Sequence, residues 1–183
     1  MCQPKVSLLL FTVILIGIAN GIWSSFFYML LKDEFNASNT VMSMLTFPAC
    51  TSELLGFQFA SRIIQWVGGV DHAMRIAFFA YFLRFLLISY ITNIWLIVIV
   101  EMTHGIRYAL FWSAANEVAY SIGSNENSTT KFGIMFASLD TGKLLANLIG
   151  GHIYTLYGGR VLYGGSSFIF LAWTILISGK ILF

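Results

Sequence analysis

Residues 94–120, IWLIVIVEMTHGIRYALFWSAANEVAY, decide the fold class of this chain. The stretch exceeds the ~20 predominantly apolar residues that span a bilayer, yet it contains Glu101, His104, Arg107 and Glu117. An ionisable side chain at membrane depth costs roughly 2.5–3.5 kcal/mol, so it normally faces a polar partner or a water-filled cavity. The stretch therefore predicts a transmembrane helix that carries a functional polar site.

One face of this helix gathers side chains suited to binding a solute and handling a proton. At about 100° per residue, the positions that share this face are Glu101, His104, Tyr108, Trp112 and Ala115. Gly105 lies beside them and would let a neighbouring helix or a ligand approach closely. On the same helical spacing Arg107 points about 120° away and Glu117 roughly opposite. The four charged positions are therefore not expected to form one cluster.

The composition is that of a polytopic membrane protein. Hydrophobic residues make up 58% of the 183 residues and charged residues 10%, and the mean hydropathy is +0.81. Soluble domains carry about 25% charged residues. A net charge of +2 without a basic arm gives no argument for a nucleic-acid partner. Cys2 and Cys50 are not expected to form a disulfide, because one is terminal and the other lies inside an apolar run.

An enzyme is not expected, and neither is a catalytic residue, a cofactor or a metal. The chain contains no HExxH motif, no phosphate-binding loop and no Gly-x-Ser-x-Gly motif. Glu101 and His104 form one i,i+3 pair, whereas helical di-metal sites need two such pairs and two further carboxylates.

Six predicted spans fill the chain as one transmembrane domain, residues 1–183, with no room for a soluble domain: residues 6–31, 41–61, 74–91, 94–120, 131–157 and 161–182. Membrane proteins place an excess of Lys and Arg in cytosolic loops. One side collects five basic residues and the other two, which predicts that both termini are cytosolic: Lys5, Arg62, Arg75, Lys131 and Lys180 against Lys32 and Arg160. The sequon at Asn36 is then on the outer side, and the sequon at Asn127 is cytosolic and unmodified.

Several polar residues inside the other spans are candidates for structure or for function. Asn20 makes a packing hydrogen bond or lines a polar path. Glu53 takes part in a structural ion pair or contacts substrate. Arg84 lies too deep to reach the surface and needs an anion, for which Glu53 and Glu101 are the candidates. On the fifth span, Asp140 and Lys143 form a local i,i+3 pair or a coupling site.

Small residues recur every four positions on the first and fifth spans. Gly17 and Gly21 form such a pattern on the first, and Gly142, Ala146 and Gly150 form one on the fifth. Small residues at this spacing let two membrane helices approach closely. Both spans are therefore predicted to make close helix contacts.

Six spans with cytosolic ends, and a turn containing Gly68 and Gly69 after the second, resemble the C-terminal half of a major facilitator superfamily transporter. The segment from Glu101 to Ala115 is similar to the tenth helix of the lactose-permease-like branch. That branch includes nucleoside/proton symporters and the animal major facilitator superfamily domain-containing protein 6 group. The resemblance implies an all-α half-bundle of six transmembrane helices, and proton-coupled symport of a small polar solute such as a sugar or nucleoside.

The resemblance also implies roles for particular residues. In that branch a Glu on the eighth helix, an Arg on the ninth, and a His and a Glu on the tenth bind substrate and couple it to the proton. By position these roles fall on Glu53, Arg84, His104 and Glu101. The aromatic rings expected to stack on a ring-shaped solute are Tyr108 and Trp112, and the secondary candidates are Asn20, Asp140 and Lys143.

Transporters of this fold bind substrate between two six-helix halves. The expected partners are therefore a solute, a proton, the lipid bilayer of the plasma membrane or an endomembrane, and a second six-helix half. Three explanations follow for a chain with six spans: it is a partial product, it pairs with another six-helix chain, or it has lost transport. Apolar faces suited to the other half favour the first. The alternative function is a non-transporting membrane receptor or scaffold.

Overall fold

The computed structural model describes residues 4–121 and 128–178, and these residues form helices joined by short connections. Within these two ranges there is no strand. The helices are α1 (Pro4–Phe35), α2 (Asn39–Trp66), α3 (Val70–Tyr90), α4 (Ile94–Met102), α5 (His104–Ser121), α6 (Ser128–Tyr157) and α7 (Gly159–Ser178). A helix lies at each of the six predicted spans, and α4 and α5 together occupy the fourth. The chain is an all-α membrane protein, as its apolar composition predicts.

Five of the described helical rods are long and apolar enough to cross a membrane: α1, α3, α4 with α5, α6 and α7. The exception is α2, which has 28 residues but a lower hydropathy. Polar side chains along it, such as Glu53 and Gln58, account for the difference. The prediction of six apolar spans is thus met at five places. Helix α2 is long enough to cross a membrane, but it is less apolar than the other five.

Some helices extend beyond the predicted spans, because polar residues at the end of a span continue the helix. The first helix runs through Lys32 to Phe35 instead of ending at residue 31. It stops where Asn36 adopts a left-handed conformation with φ 48°, and Ser38 then caps α2 by accepting a hydrogen bond from the Val41 N–H. Polar residues are tolerated in such end turns because water satisfies them outside the hydrocarbon.

The helices pack in pairs, with α1 against α6, α2 against α5, and α3 against both α7 and α5. The predicted small-residue seams meet each other, which confirms them as close contacts. A Cβ on Gly17 would collide with the backbone of Leu139 and Gly142, and a Cβ on Gly21 would lie 2.7 Å from the Ala146 Cβ. The α1–α6 crossing therefore depends on residues without side chains at these positions.

The fourth predicted span is one rod with a break at Thr103. The Thr103 N–H and its hydroxyl both bond to the Val100 carbonyl, at 3.1 and 2.7 Å, which tightens the turn. Beyond the break, the Gly105 N–H bonds to the Ser52 hydroxyl of α2 at 3.0 Å. The Gly105 N–H thus links the rod to the neighbouring helix, and Glu101 and His104 lie on either side of the break.

One end of the bundle is held by polar contacts around Arg160, at the start of α7. Its Nε donates to Glu34 Oε2 at 2.7 Å, and the Tyr154 hydroxyl donates to Asp33 Oδ2 at 2.7 Å. Chain connectivity places Lys32 at this same end and the starts of α3 and α6 at the other.

The predicted roles of Cys2, Asn127 and Lys180 concern residues outside the described ranges.

Candidate functional site

The centre of the site is a sealed ion pair between α3 and α4. Arg84 Nη2 donates to Glu101 Oε1 at 2.5 Å, and the two side chains are 1% and 0% exposed. Of the two carboxylates considered for Arg84, Glu101 is therefore its direct partner. A buried charge is tolerated only when it is paired and hydrogen-bonded, so the two side chains depend on each other.

His104 lies at the first position of α5 and accepts from two arginines. Arg84 Nη1 is 2.9 Å and Arg107 Nη2 is 2.8 Å from its Nδ1. A guanidinium has donors and no acceptor, so Nδ1 must be the acceptor in both contacts and carries no hydrogen. A neutral imidazole then holds its hydrogen on Nε2. The two arginines thus assign the tautomer of His104.

The free edge of His104 points to Glu53 on α2. His104 Nε2 lies 3.9 Å from Glu53 Oε2, which is beyond direct hydrogen-bond distance. The Glu53 side chain is 35% exposed, in contrast to the sealed Glu101. Two carboxylates therefore flank the same imidazole cluster, one in the core and one at an accessible surface.

A close crossing of α2 and α5 places Glu53 beside His104. A Cβ on Gly105 would overlap the backbone of Ser52 and Glu53, and a Cβ on Gly56 would lie 2.5 Å from the Gly105 carbonyl oxygen. The expectation that Gly105 admits a close neighbour is confirmed, and the neighbour is α2. Without side chains at the crossing, the backbones meet and the carboxylate reaches the imidazole edge.

Glu53 and His104 open onto a cleft of about 310 Å³ between α1, α2, α5 and α6. The cleft is lined by Asn20, Trp23, Ser24, Thr46, Ala49, Cys50, Glu53, His104, Tyr108, Leu139 and Lys143. The Trp23 and Tyr108 rings both pack against His104, with centroids 5.3 and 5.6 Å from it. Larger grooves of about 430 and 510 Å³ lie elsewhere on the surface, and neither contains a member of this cluster.

A family model described as the MFS_1 like family matches residues 1–164. The chain belongs to the MFS_1 like family. This membership makes it a multi-pass membrane protein of the transporter class and points away from an enzyme. In transporters of this fold, substrate binds near the middle of the membrane between helices of two halves; the cleft of this chain is lined by residues of α1, α2, α5 and α6.

In this MFS_1 like chain, the residues predicted for the site fall into three groups. Glu53, His104 and Tyr108 line the cleft, together with the secondary candidates Asn20 and Lys143. Arg84 and Glu101 lie behind His104 in the core. Trp112 and Asp140 do not line the cleft: the Trp112 ring packs against Tyr108 and Phe136, and Asp140 accepts from Lys143 at 2.9 Å.

Two residues of the cluster were absent from the predicted set. Arg107 is 2% exposed, bonds to His104, and places its guanidinium 3.8 Å from the centre of the Tyr81 ring. Trp23 forms one wall of the cleft. The prediction that Arg107 points away from the cluster was wrong, because its side chain is long and reaches His104 one turn back. The i,i+3 spacing of these two residues was the available signal. Glu117 is exposed and stays outside, as predicted.

Proposed function

We propose that this member of the MFS_1 like family carries a small polar solute across the membrane together with a proton, and that Glu53 takes up the proton. The observation that carries the proposal is the contrast between the two carboxylates. Glu53 is partly exposed in the cleft, whereas Glu101 is sealed and bonded to Arg84. A proton-coupling group must be reachable from a polar path and must change its charge, and intramembrane carboxylates in such positions mark proton pathways.

The walls of the cleft suit a small ring-bearing solute. Trp23 and Tyr108 offer aromatic surfaces on which a ring can pack. Asn20, Ser24 and Lys143 supply polar groups. The volume is at the small end of the ~300–1,000 Å³ range of ligand pockets. A sugar or a nucleoside is the solute implied by the resemblance to the lactose-permease-like branch, which includes the major facilitator superfamily domain-containing protein 6 group.

A second six-helix unit is proposed to close the cleft, either in the same polypeptide or in a partner chain. Helices α2 and α6 flank the cleft and expose large apolar side chains, among them Phe47 at 73% and Leu54 at 77%. In transporters of this type, one helical repeat moves against the other around a central site. In the proposed arrangement both ends of the chain face the cytosol, in the plasma membrane or an endomembrane.

Glu53→Gln is expected to abolish uphill uptake and to leave exchange of solute intact. Glutamine mimics the protonated carboxyl, so solute can still bind and cross but no proton accompanies it. The measurement uses full-length protein in proteoliposomes with an imposed pH gradient and a panel of labelled sugars and nucleosides. Glu117→Gln is the matched control, because Glu117 is exposed and outside the cluster. Unchanged uphill uptake by Glu53→Gln would remove Glu53 from the coupling mechanism.

A non-transporting receptor or scaffold is the second candidate, and the sealed Arg84–Glu101 pair favours it. In such a protein the buried charges serve only to hold helices together. Wild-type protein that inserts correctly and yet shows neither uptake nor exchange with any solute of the panel would support this candidate over the transporter.

A further inference from the structure

Among the described charged side chains of the cleft and of the core behind it, one cation has no direct bond to a carboxylate. Two of the cations are bonded directly to carboxylates: Arg84 to Glu101 at 2.5 Å, and Lys143 to Asp140 at 2.9 Å. Arg107 has no such bond among the described residues. Arg107 contacts the His104 imidazole and the Tyr81 ring, and neither is an anion.

Arg84 and Arg107 carry two positive charges around His104, and the two carboxylates beside the cluster are Glu101 and Glu53, so Glu53 supplies the second negative charge. Arg107 donates to Nδ1 of His104, and Nε2 on the opposite edge faces the Glu53 carboxylate at 3.9 Å. Arg107 and the imidazole beside it are buried, so the field of the Arg107 charge is weakly screened. If Glu53 becomes neutral, the cluster holds one positive charge without a counter-ion, which is costly in a low-dielectric site.

We propose that the cleft binds the anionic group of an organic acid, which replaces the Glu53 carboxylate as the counter-charge when Glu53 is protonated. This inference rests on the proposed transport function and names the class of solute. It predicts that the solute is an acid with a ring, in place of the neutral sugar or nucleoside that the resemblance implies.

The same geometry supplies donors for the anion. His104 must present Nε2–H to the cleft, because Arg84 and Arg107 both occupy Nδ1. Lys143 also lines the cleft, and its ammonium has three hydrogens, of which one bonds to Asp140. The hydroxyl of Tyr108 is the remaining titratable group of the cleft wall on α5. An acid with a planar ring would place its carboxylate at these donors and its ring beside Trp23.

Protonation and anion binding then accompany each other. One proton neutralises Glu53, and one monoanion restores the charge balance of the cluster. The loaded site therefore has the same net charge as the empty site, and a transport cycle that carries both is electroneutral. A neutral solute carried with a proton would instead move one positive charge per cycle, so the membrane potential distinguishes the two cases.

Nicotinate and nicotinamide test the inference, because they share a ring and differ in carboxylate against carboxamide. Binding of each labelled compound to purified full-length protein is measured at pH 7.5 for wild type and Glu53→Gln. We expect Glu53→Gln to bind nicotinate at least about tenfold more tightly than it binds nicotinamide, and about tenfold more tightly than wild type binds nicotinate. Adding Arg107→Gln should remove the preference, and adding Arg107→Lys should keep most of it.

The outcomes separate this inference from the proposed function. Equal affinity for the two probes, or no binding of nicotinate by Glu53→Gln, overturns the anion site whether or not the Arg107 variants fold. If proton-driven uptake of neutral solutes accompanies that result, transport stands and the anion site fails. Acid-selective binding without uptake in proteoliposomes supports the anion site and contradicts transport. Proton-driven nicotinate uptake that is insensitive to an imposed membrane potential supports both.

Discussion

Arg84→Ala is expected to destabilise the protein by about 3–5 kcal/mol, the cost of leaving one member of a buried ion pair unpaired. Glu101 is fully sealed, and its Oε2 has no hydrogen-bond partner among the described residues. Among the described residues, Arg84 is thus the one donor that bonds to the Glu101 carboxylate. The measurement is thermal unfolding of the detergent-solubilised full-length protein, followed by size-exclusion chromatography.

A second substitution identifies the stranded carboxylate. Arg84→Ala combined with Glu101→Gln should recover a large part of the lost stability, because the unpaired charge is removed. Arg84→Ala combined with Glu53→Gln should not, because Glu53 is partly exposed and 3.9 Å from His104. Recovery by Glu53→Gln alone would mean that the pairing described for the core is wrong.

Gly105→Ala is expected to separate α2 from α5 and to reduce solute uptake by at least about tenfold. The new Cβ would overlap backbone atoms of Ser52 and Glu53, which cannot rotate away as a side chain would. Relief requires a shift of α2, and such overpacking costs about 1–3 kcal/mol. The shift would also lengthen the Glu53–His104 separation. Uptake by the variant in proteoliposomes and its thermal stability in detergent both report the change.

Gly165→Ala on α7 is the matched control. A Cβ there meets nothing within 4 Å, and alanine in place of a mid-helix glycine stabilises a helix by roughly 0.5–1 kcal/mol. The control should therefore keep wild-type uptake and be at least as stable as the wild type. Wild-type behaviour of Gly105→Ala as well would show that the α2–α5 crossing is looser than the structure describes.

Much of the site could be predicted from individual residues. Arg84, Glu101 and His104 are polar groups inside apolar runs, and the cost of burying them is sufficient to predict that they have partners. Gly17, Gly21, Gly142 and Ala146 were recognisable as helix contacts by spacing alone. What spacing could not supply was the pairing, because helices distant in sequence meet according to packing of the whole bundle.

The helix break at Thr103 shows why the pattern of one face was incomplete. An ideal helix places Glu101 and His104 on one stripe and Arg107 off it. In the structure the turn tightens at Thr103, and α5 begins at His104. Arg107 follows His104 within α5, and its long side chain reaches back to the imidazole. The break depends on the bond from the Thr103 hydroxyl to the Val100 carbonyl and on the approach of α2. Neither can be recognised from the spacing of apolar and polar residues along the sequence.

By itself, the sequence determined the membrane location, the all-α class and the presence of costly charges within the spans. These follow from the transfer of apolar and ionisable groups between water and hydrocarbon, which depends on residue type and run length. Only the tertiary structure decided that Glu101 is the partner of Arg84, that Arg107 joins the cluster, and that Glu53 is left facing the cleft. Those outcomes depend on which helix backbones can approach each other closely. The crossing at Gly56 and Gly105 sets the distance between α2 and α5.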